Sequence, residues 1–187
     1  GEKITQDAMG MEHEEVVPYP RYVPTVTKRT TKNTGEIFLT GGTGYLGCHL
    51  AKELLENNKI HLYCLVRPGR EQGLKEVFTE YFGENWYASV ENRISCVTGD
   101  LCKKNLGMKK TDYDGLVKKI DQVYHGAADV RHYGDASMSI ETNFHGTERM
   151  VSFALDADAA LHHVSTTSVS AQYIKAQPMA KAIYFEM

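Results

Sequence analysis

The stretch "IFLTGGTGYLG", residues 37–47, constrains this chain more than any other, because an apolar run stops at glycines 41, 42, 44 and 47. Behind it, "HLAKELLENN" (49–58) carries Leu50, Leu54 and Leu55 at helical spacing, and "IHLYCLV" (60–66) is a second apolar, β-rich run. Strand, glycine turn, helix and strand within about thirty residues make one βαβ unit. A tight strand-to-helix turn needs glycine whether or not anything binds there. The flanking order favours a phosphate-gripping loop, in which one glycine turns the chain, one lets backbone approach a pyrophosphate, and one lets the helix pack near the strand. Those roles fall to Gly41, Gly44 and Gly47. The loop as a whole, Thr40, Gly41, Gly42, Thr43, Gly44, Tyr45, Leu46 and Gly47, would present helix-start N–H groups to the phosphates.

The alternation continues along the chain. A helix is expected over 70–82, strands over 93–99 and 121–127, a long amphipathic helix over 137–156 and a strand over 160–166. Strands that alternate with helices and are apolar along most of their length imply a parallel sheet covered on both faces. The expected fold is a doubly wound α/β parallel sheet, a Rossmann fold. Residues 1–35 are polar, hold Pro18, Pro20 and Pro24, and lack an apolar period, so they read as a linker or N-terminal arm, with residues 36–187 the dinucleotide-binding domain.

The second strand of such a unit ends near the adenine ribose. An acid there suits the 2′-hydroxyl of NAD, and an arginine suits the 2′-phosphate of NADP. The segment "CLVRPGR" holds Arg67 and Arg70 and no acid, which favours NADP(H) over the bland alternative of two solvated arginines.

Other chemistries find little support. The net charge of −3, from 21 basic and 24 acidic residues well mixed along 187 positions, offers no footprint for nucleic acid. The four cysteines form no CxxC pair and the eight histidines lack close ligand spacing, so no metal site is expected. Reduced thiols, no apolar run near the roughly 18 residues that span a bilayer, and a polar start lead to the expectation of a soluble, cytoplasmic protein with no membrane partner. There is no G-x-S-x-G elbow and no G-K-[ST] ending to the glycine loop. His162 and His163 are expected as packed histidines on a buried strand.

With "TGGTGYLG", "CLVRPGR", "TGDL" (98–101), "HGAADV" (125–130), "TNFHGT" (142–147) and "HHVSTTSV" (162–169) in order, residues 36–171 resemble the extended short-chain dehydrogenase/reductases. Within that superfamily the chain is similar to the thioester reductase domains of nonribosomal peptide synthetases and to carboxylic acid and aminoadipate reductases. The resemblance implies that Asp100 and Leu101 lie against the adenine, and that Gly126, Ala127 and Ala128 pass the cofactor's ribose and phosphates. Many relatives carry Asn where this chain has Gly126. Asn143 matches the family's helix asparagine, with Gly146 and Thr147 completing its motif. Thr166 matches the catalytic Ser/Thr, with Thr167 the fallback and Val169 at fitting spacing. Its hydroxyl would polarise the substrate carbonyl.

The family's proton donor is a tyrosine followed four residues later by lysine. No tyrosine here meets that spacing: Tyr173 is followed there by Gln177 and Tyr63 by Arg67. In relatives the tyrosine would fall beyond Met187. The chain is therefore expected to be an incomplete thioester reductase domain, lacking the C-terminal substrate subdomain and inactive alone. The complete enzyme would reduce an acyl or peptidyl thioester, held on a carrier protein's phosphopantetheine arm, to an aldehyde or onward to an alcohol. Two alternatives stay open: another extended reductase or epimerase acting on a nucleotide sugar or free carbonyl compound, and a non-catalytic dinucleotide-binding protein.

Overall fold

Strand β1 (Glu36–Thr40) sits at the centre of a five-stranded sheet because its side chains are apolar toward both faces. Ile37 and Leu39 point to one layer of helices and Phe38 to the other, and all three are buried. The computed structural model describes residues 34–57, 59–131 and 136–166. Most of the expected N-terminal arm, together with Thr167, Val169 and Tyr173, lies outside the described residues.

From β1 the chain runs through α1 (Tyr45–Asn57), β2 (His61–Val66), α2 (Glu71–Phe82), α3 (Glu84–Val90) and β3 (Ile94–Thr98). It continues through α4 (Lys110–Lys119), β4 (Gln122–His125), α5 (Ala136–Ser139), a π turn (Ile140–His145), α6 (Gly146–Ala157) and β5 (Ala160–His163). All strand pairs are parallel in the order β3-β2-β1-β4-β5. Phe38 is in register with Tyr63 on one side and Val123 on the other. The chain winds outward from β1 to β3, then crosses back to β4, so the order reverses between β1 and β4. That reversal opens a crevice at the carboxyl ends of these two strands.

Each face of the sheet has its own core. Helices α1 and α2 bring Cys48, Ala51, Leu55, Leu74 and Phe78 onto Ile37, Leu39 and Leu62. Helices α4 and α6 bring Tyr113, Leu116, Met150 and Phe153 onto Phe38 and Val123. The Phe153 ring lies 4.9 Å from Phe38 and 5.4 Å from Tyr113, edge-on to the latter. Burying one such ring contributes about 1.5–3 kcal/mol. At the amino edge, the buried Asp121 carboxylate accepts from the Thr34 hydroxyl at 3.0 Å and the Gly35 N–H at 3.0 Å, which ties the start of β1 to β4.

The doubly wound parallel sheet expected from the sequence is present. Several boundaries differ. Helices α3 and α4 were not expected: α3 is only 7 residues long, and α4 buries just Tyr113 and Leu116 around the helix-weakening Gly115. The helix expected over 137–156 is continuous from Ala136 to Ala157, but widens into the π turn around Asn143. The strand expected to reach residue 166 stops at His163, and it is not buried there. His162 and His163 are exposed, each stacked on the neighbouring strand, on Tyr124 at 4.3 Å and on His125 at 5.2 Å. Among the described residues β5 has a neighbour on one side only, which is why its last side chains reach the surface.

Candidate cofactor site

The crevice is built on three glycines that work differently. Gly41 turns the chain at φ 82°, and a Cβ there would lie 2.7 Å from the Gly126 carbonyl carbon, so β1 and β4 can close on each other only with glycine at 41. A Cβ on Gly47 would fall 2.0 Å from the Gly41 oxygen, so this position seats α1 against the turn. Gly44 faces outward: its Cβ would meet only the Gly41 oxygen, at 3.3 Å. The turn is held by hydrogen bonds from Gly44 N–H to Gly41 O and from Cys48 N–H to Gly44 O, both 2.9 Å.

Thr43, Gly44, Tyr45 and Leu46 form the exposed rim. No described backbone carbonyl outside α1 accepts from the N–H groups of Tyr45, Leu46 or Gly47, and α1 has no acidic residue in its first turn. A helix start with free donors and an uncompensated positive dipole end suits an anion. A dinucleotide pyrophosphate therefore fits these residues.

Thr40 is fully buried and works inside the wall of the crevice. Its hydroxyl accepts from Ala127 N–H at 3.2 Å and meets His125 Nδ1 at 2.7 Å, while Gly126 N–H donates to Thr40 O at 3.1 Å. The segment Gly126, Ala127 and Ala128 is thereby pinned against the end of β1. A Cβ on Gly126 would meet Thr40 O at an ordinary 3.4 Å, so that position has room for a side chain. Asn143, in the π turn, accepts from Asp129 N–H at 2.7 Å and donates to Asp129 O at 2.8 Å. Its amide thus fixes the loop that follows β4. Asp129 grips Arg131 through both carboxylate oxygens, at 2.8 and 2.7 Å, which holds its carboxyl well below the usual range.

Arg67 and Arg70 are exposed on the turn after β2, closed by Arg70 N–H donating to Arg67 O at 3.0 Å. The next residue, Glu71, carries no sequence signal of its own. Its Oε1 accepts from Gly69 N–H at 3.1 Å and from the Thr98 hydroxyl at 3.3 Å, bracing the arginine turn against the end of β3. Hydrogen bonds from backbone N–H groups, its own first and then Gly69, hold its carboxyl low. Asp100 accepts from Cys102 N–H at 2.9 Å and stands 3.8 Å from the Lys103 ammonium. Leu101 is buried in the α4–α6 core, where a Cβ on Gly146 would strike it at 2.8 Å. Leu101 and Thr40 are thus packing and bracing groups behind the surface a ligand would meet.

Thr166 is exposed, three residues past the end of β5 on the carboxyl side of the sheet. Between β5 and the helix carrying Asn143 lies an open groove of about 420 Å³ bordered by Phe144, Thr147, Val151 and His163. Burial pushes the Tyr63 hydroxyl up to about 12 and raises Tyr113 and Tyr124 as well, the opposite of an activated proton donor. Among the described residues, no three His, Cys, Asp or Glu side chains gather as a metal site, and the four cysteines are free. No helix among them is long and apolar enough to cross a membrane.

A family model described as "Male sterility protein", an NAD-binding family, matches residues 39–186. The chain belongs to this family. It is an extended short-chain dehydrogenase/reductase of the thioester-reductase kind. A linear gramicidin synthase of Brevibacillus parabrevis is 35% identical over 131 residues, which cover 68% of this chain and 3% of that protein. Among solved structures, the terminal R domain from the myxalamid PKS-NRPS biosynthetic pathway superposes with TM-score 0.66 at 31% identity, over 72% of this chain and 35% of that one. A thiolation-reductase di-domain from an archaeal nonribosomal peptide synthetase gives TM-score 0.65 at 28% identity, over 79% and 32%. The chain thus spans about a third of the solved chains and a small fraction of the synthase. The cofactor of an NAD-binding family is a nicotinamide dinucleotide.

Proposed function

We propose that the chain is the NADPH-binding part of a thioester reductase, which releases an acyl or peptidyl group from a carrier protein as an aldehyde. The observation that carries this reading is the β1–β4 crevice with its open Gly44 face and the Arg67–Arg70 turn at the end of β2, in a chain of the reductase family. When bound, NADPH supplies a hydride. The chain's own residues do the rest.

N–H groups at the start of α1 hold the pyrophosphate. Arg67 and Arg70 pair with the 2′-phosphate, which favours NADPH over NADH. The 126–128 segment lines the ribose side. The Thr166 hydroxyl would donate a hydrogen bond to the thioester carbonyl oxygen and stabilise the negative charge that grows there on hydride addition; collapse of that oxyanion would break the C–S bond, so that the carrier's thiolate leaves as the aldehyde forms. The partner is an acyl or peptidyl carrier protein with a phosphopantetheine arm, in line with the di-domain architecture of one structural relative. Such an enzyme works in the cytoplasm, and a second reduction of the aldehyde gives an alcohol.

The test is turnover by the full-length reductase that contains this chain. Given an acyl thioester on a carrier protein, it should consume NADPH and release aldehyde, and Thr166→Ala should slow release with NADPH affinity nearly unchanged. Reduction of free carbonyl compounds with no reaction of the carrier-bound thioester would refute the reading.

A further inference from the structure

His125 is buried at the end of β4, and both ring nitrogens are engaged. Its Nε2 meets Thr147 Oγ1 at 3.1 Å and its Nδ1 meets Thr40 Oγ1 at 2.7 Å. The proton positions follow from the partners. The Asn143 carbonyl oxygen can only accept, so the single Thr147 hydroxyl proton goes to it, at 2.7 Å. Thr147 Oγ1 can then only accept from His125, which puts the ring proton on Nε2. Bare Nδ1 accepts the Thr40 hydroxyl proton, and Thr40 Oγ1 keeps lone pairs for the Ala127 N–H at 3.2 Å.

The result is one directed chain: Ala127 N–H, Thr40 O–H, His125, Thr147 O–H, Asn143 C=O. It joins the last residue of β1, the wall of the crevice, α6 and the π turn. Bonds in such a series polarise one another. A second proton on His125 would turn Nδ1 into a donor and leave the Thr40 hydroxyl proton without its acceptor. Burial, and the His163 ring stacked 5.2 Å away, push the imidazole pKa down to about 4. His163 is the neighbour whose charge bears on the ring, and the hydrogen-bond partners Thr40 and Thr147 are neutral.

We propose that His125 is a positioning residue of the cofactor crevice: with its proton locked on Nε2, it aims the Thr40 hydroxyl so that its lone pairs face Ala127 N–H, and so sets the gap between the glycine loop and the 126–128 wall. It also ties that gap to the π turn whose Asn143 fixes the Asp129 loop. The inference rests on the dinucleotide reading of the crevice, and its experiment separates the two.

The first measurement is ¹⁵N NMR of the imidazole nitrogens in the unmodified protein from about pH 6 to 8. His125 should show a protonated Nε2 and a bare Nδ1 throughout. A proton on Nδ1, or a doubly protonated ring, overturns the proposal whatever the protein binds. The second is NADPH affinity well below the melting temperature. Thr147→Val keeps the shape and removes the acceptor of Nε2–H, and should weaken NADPH binding roughly three- to tenfold. Thr147→Ser restores the hydroxyl and should recover most of the affinity. A lower melting temperature with unchanged NADPH affinity in Thr147→Val would mean a stabilising role alone and overturn the proposal. If the unmodified protein binds no dinucleotide, the cofactor reading fails, while the tautomer measurement still decides the hydrogen-bond chain.

Discussion

Replacing Gly44 and Gly47 separately by alanine should split binding from folding. At Gly47 the new Cβ would sit 2.0 Å from the Gly41 carbonyl oxygen and 2.6 Å from its carbon, both backbone atoms of a turn pinned to β4. Neither side can give way cheaply. Overpacking of this kind costs about 3 kcal/mol, the upper end of the usual range, and lowers the melting temperature by roughly 6–12 °C in a chain of this size. At Gly44 the new Cβ meets only the Gly41 oxygen at 3.3 Å, φ is not positive, and the methyl points off the protein. Stability should change by less than about 0.5 kcal/mol. That methyl stands where the pyrophosphate would approach the loop. Loss of one charge-assisted hydrogen bond costs about 1.5–3 kcal/mol, so the NADPH Kd should rise roughly ten- to hundredfold. Melting followed by circular dichroism and NADPH titration of the same samples give both numbers. Gly44→Ala with unchanged stability and unchanged Kd would refute the phosphate-loop reading, and an unperturbed Gly47→Ala would refute the packing argument.

Four further outcomes are expected. Phe153→Ala removes the ring between Phe38 and Tyr113 and should cost about 3–5 kcal/mol in urea unfolding, with the slope unchanged. Glu71→Gln keeps an oxygen for Gly69 N–H and the Thr98 hydroxyl but removes the carboxylate charge beside the arginine turn, so NADPH affinity should rise; Glu71→Ala removes the brace and should lower it, as competitive titration would read. Because the folded His125 pKa of about 4 lies below its unfolded value, the unfolded chain binds the extra proton, and stability falls as pH drops from the unfolded value toward 4. That loss is of order 3 kcal/mol and should be largely absent in His125→Gln, read as the slope of melting temperature against pH. In the full-length reductase, Thr166→Ala should slow aldehyde release tenfold or more, roughly the worth of one hydrogen bond to a developing oxyanion.

The sheet is legible in the sequence because β1 and β2 are largely apolar runs ended by glycine or arginine turns, β4 alternates buried Val123 and His125 with half-buried neighbours before Gly126, and α1 and α6 carry strong one-sided patterns. The elements that are not legible are weakly patterned: α4 leaves half of its ten residues exposed and buries only Tyr113 and Leu116, and α3 is a two-turn insert before β3. The expected strand ends fall too late because pairing stops at His125 and His163, and after the latter "VST" continues the β-rich composition. In the candidate site, the glycine loop and the arginine turn are readable because glycine and arginine chemistry is local. Glu71 gives no such signal: it stands one residue past "CLVRPGR", and only the fold brings it to Thr98. His125 and Thr147 are invisible as a pair because they come within 3.1 Å only through the β4–α6 crossover. The burial that distinguishes Thr40 and Leu101 from the exposed rim of the loop is likewise set by tertiary packing.

The account stands most directly on calorimetric titration of the protein with NADPH and NADH, repeated on Arg67→Ala. It predicts tighter binding of NADPH than of NADH, with the preference lost when the guanidinium is removed and NADH affinity little changed. Equal affinities in the unmodified protein, or an undiminished NADPH preference in Arg67→Ala, would contradict it.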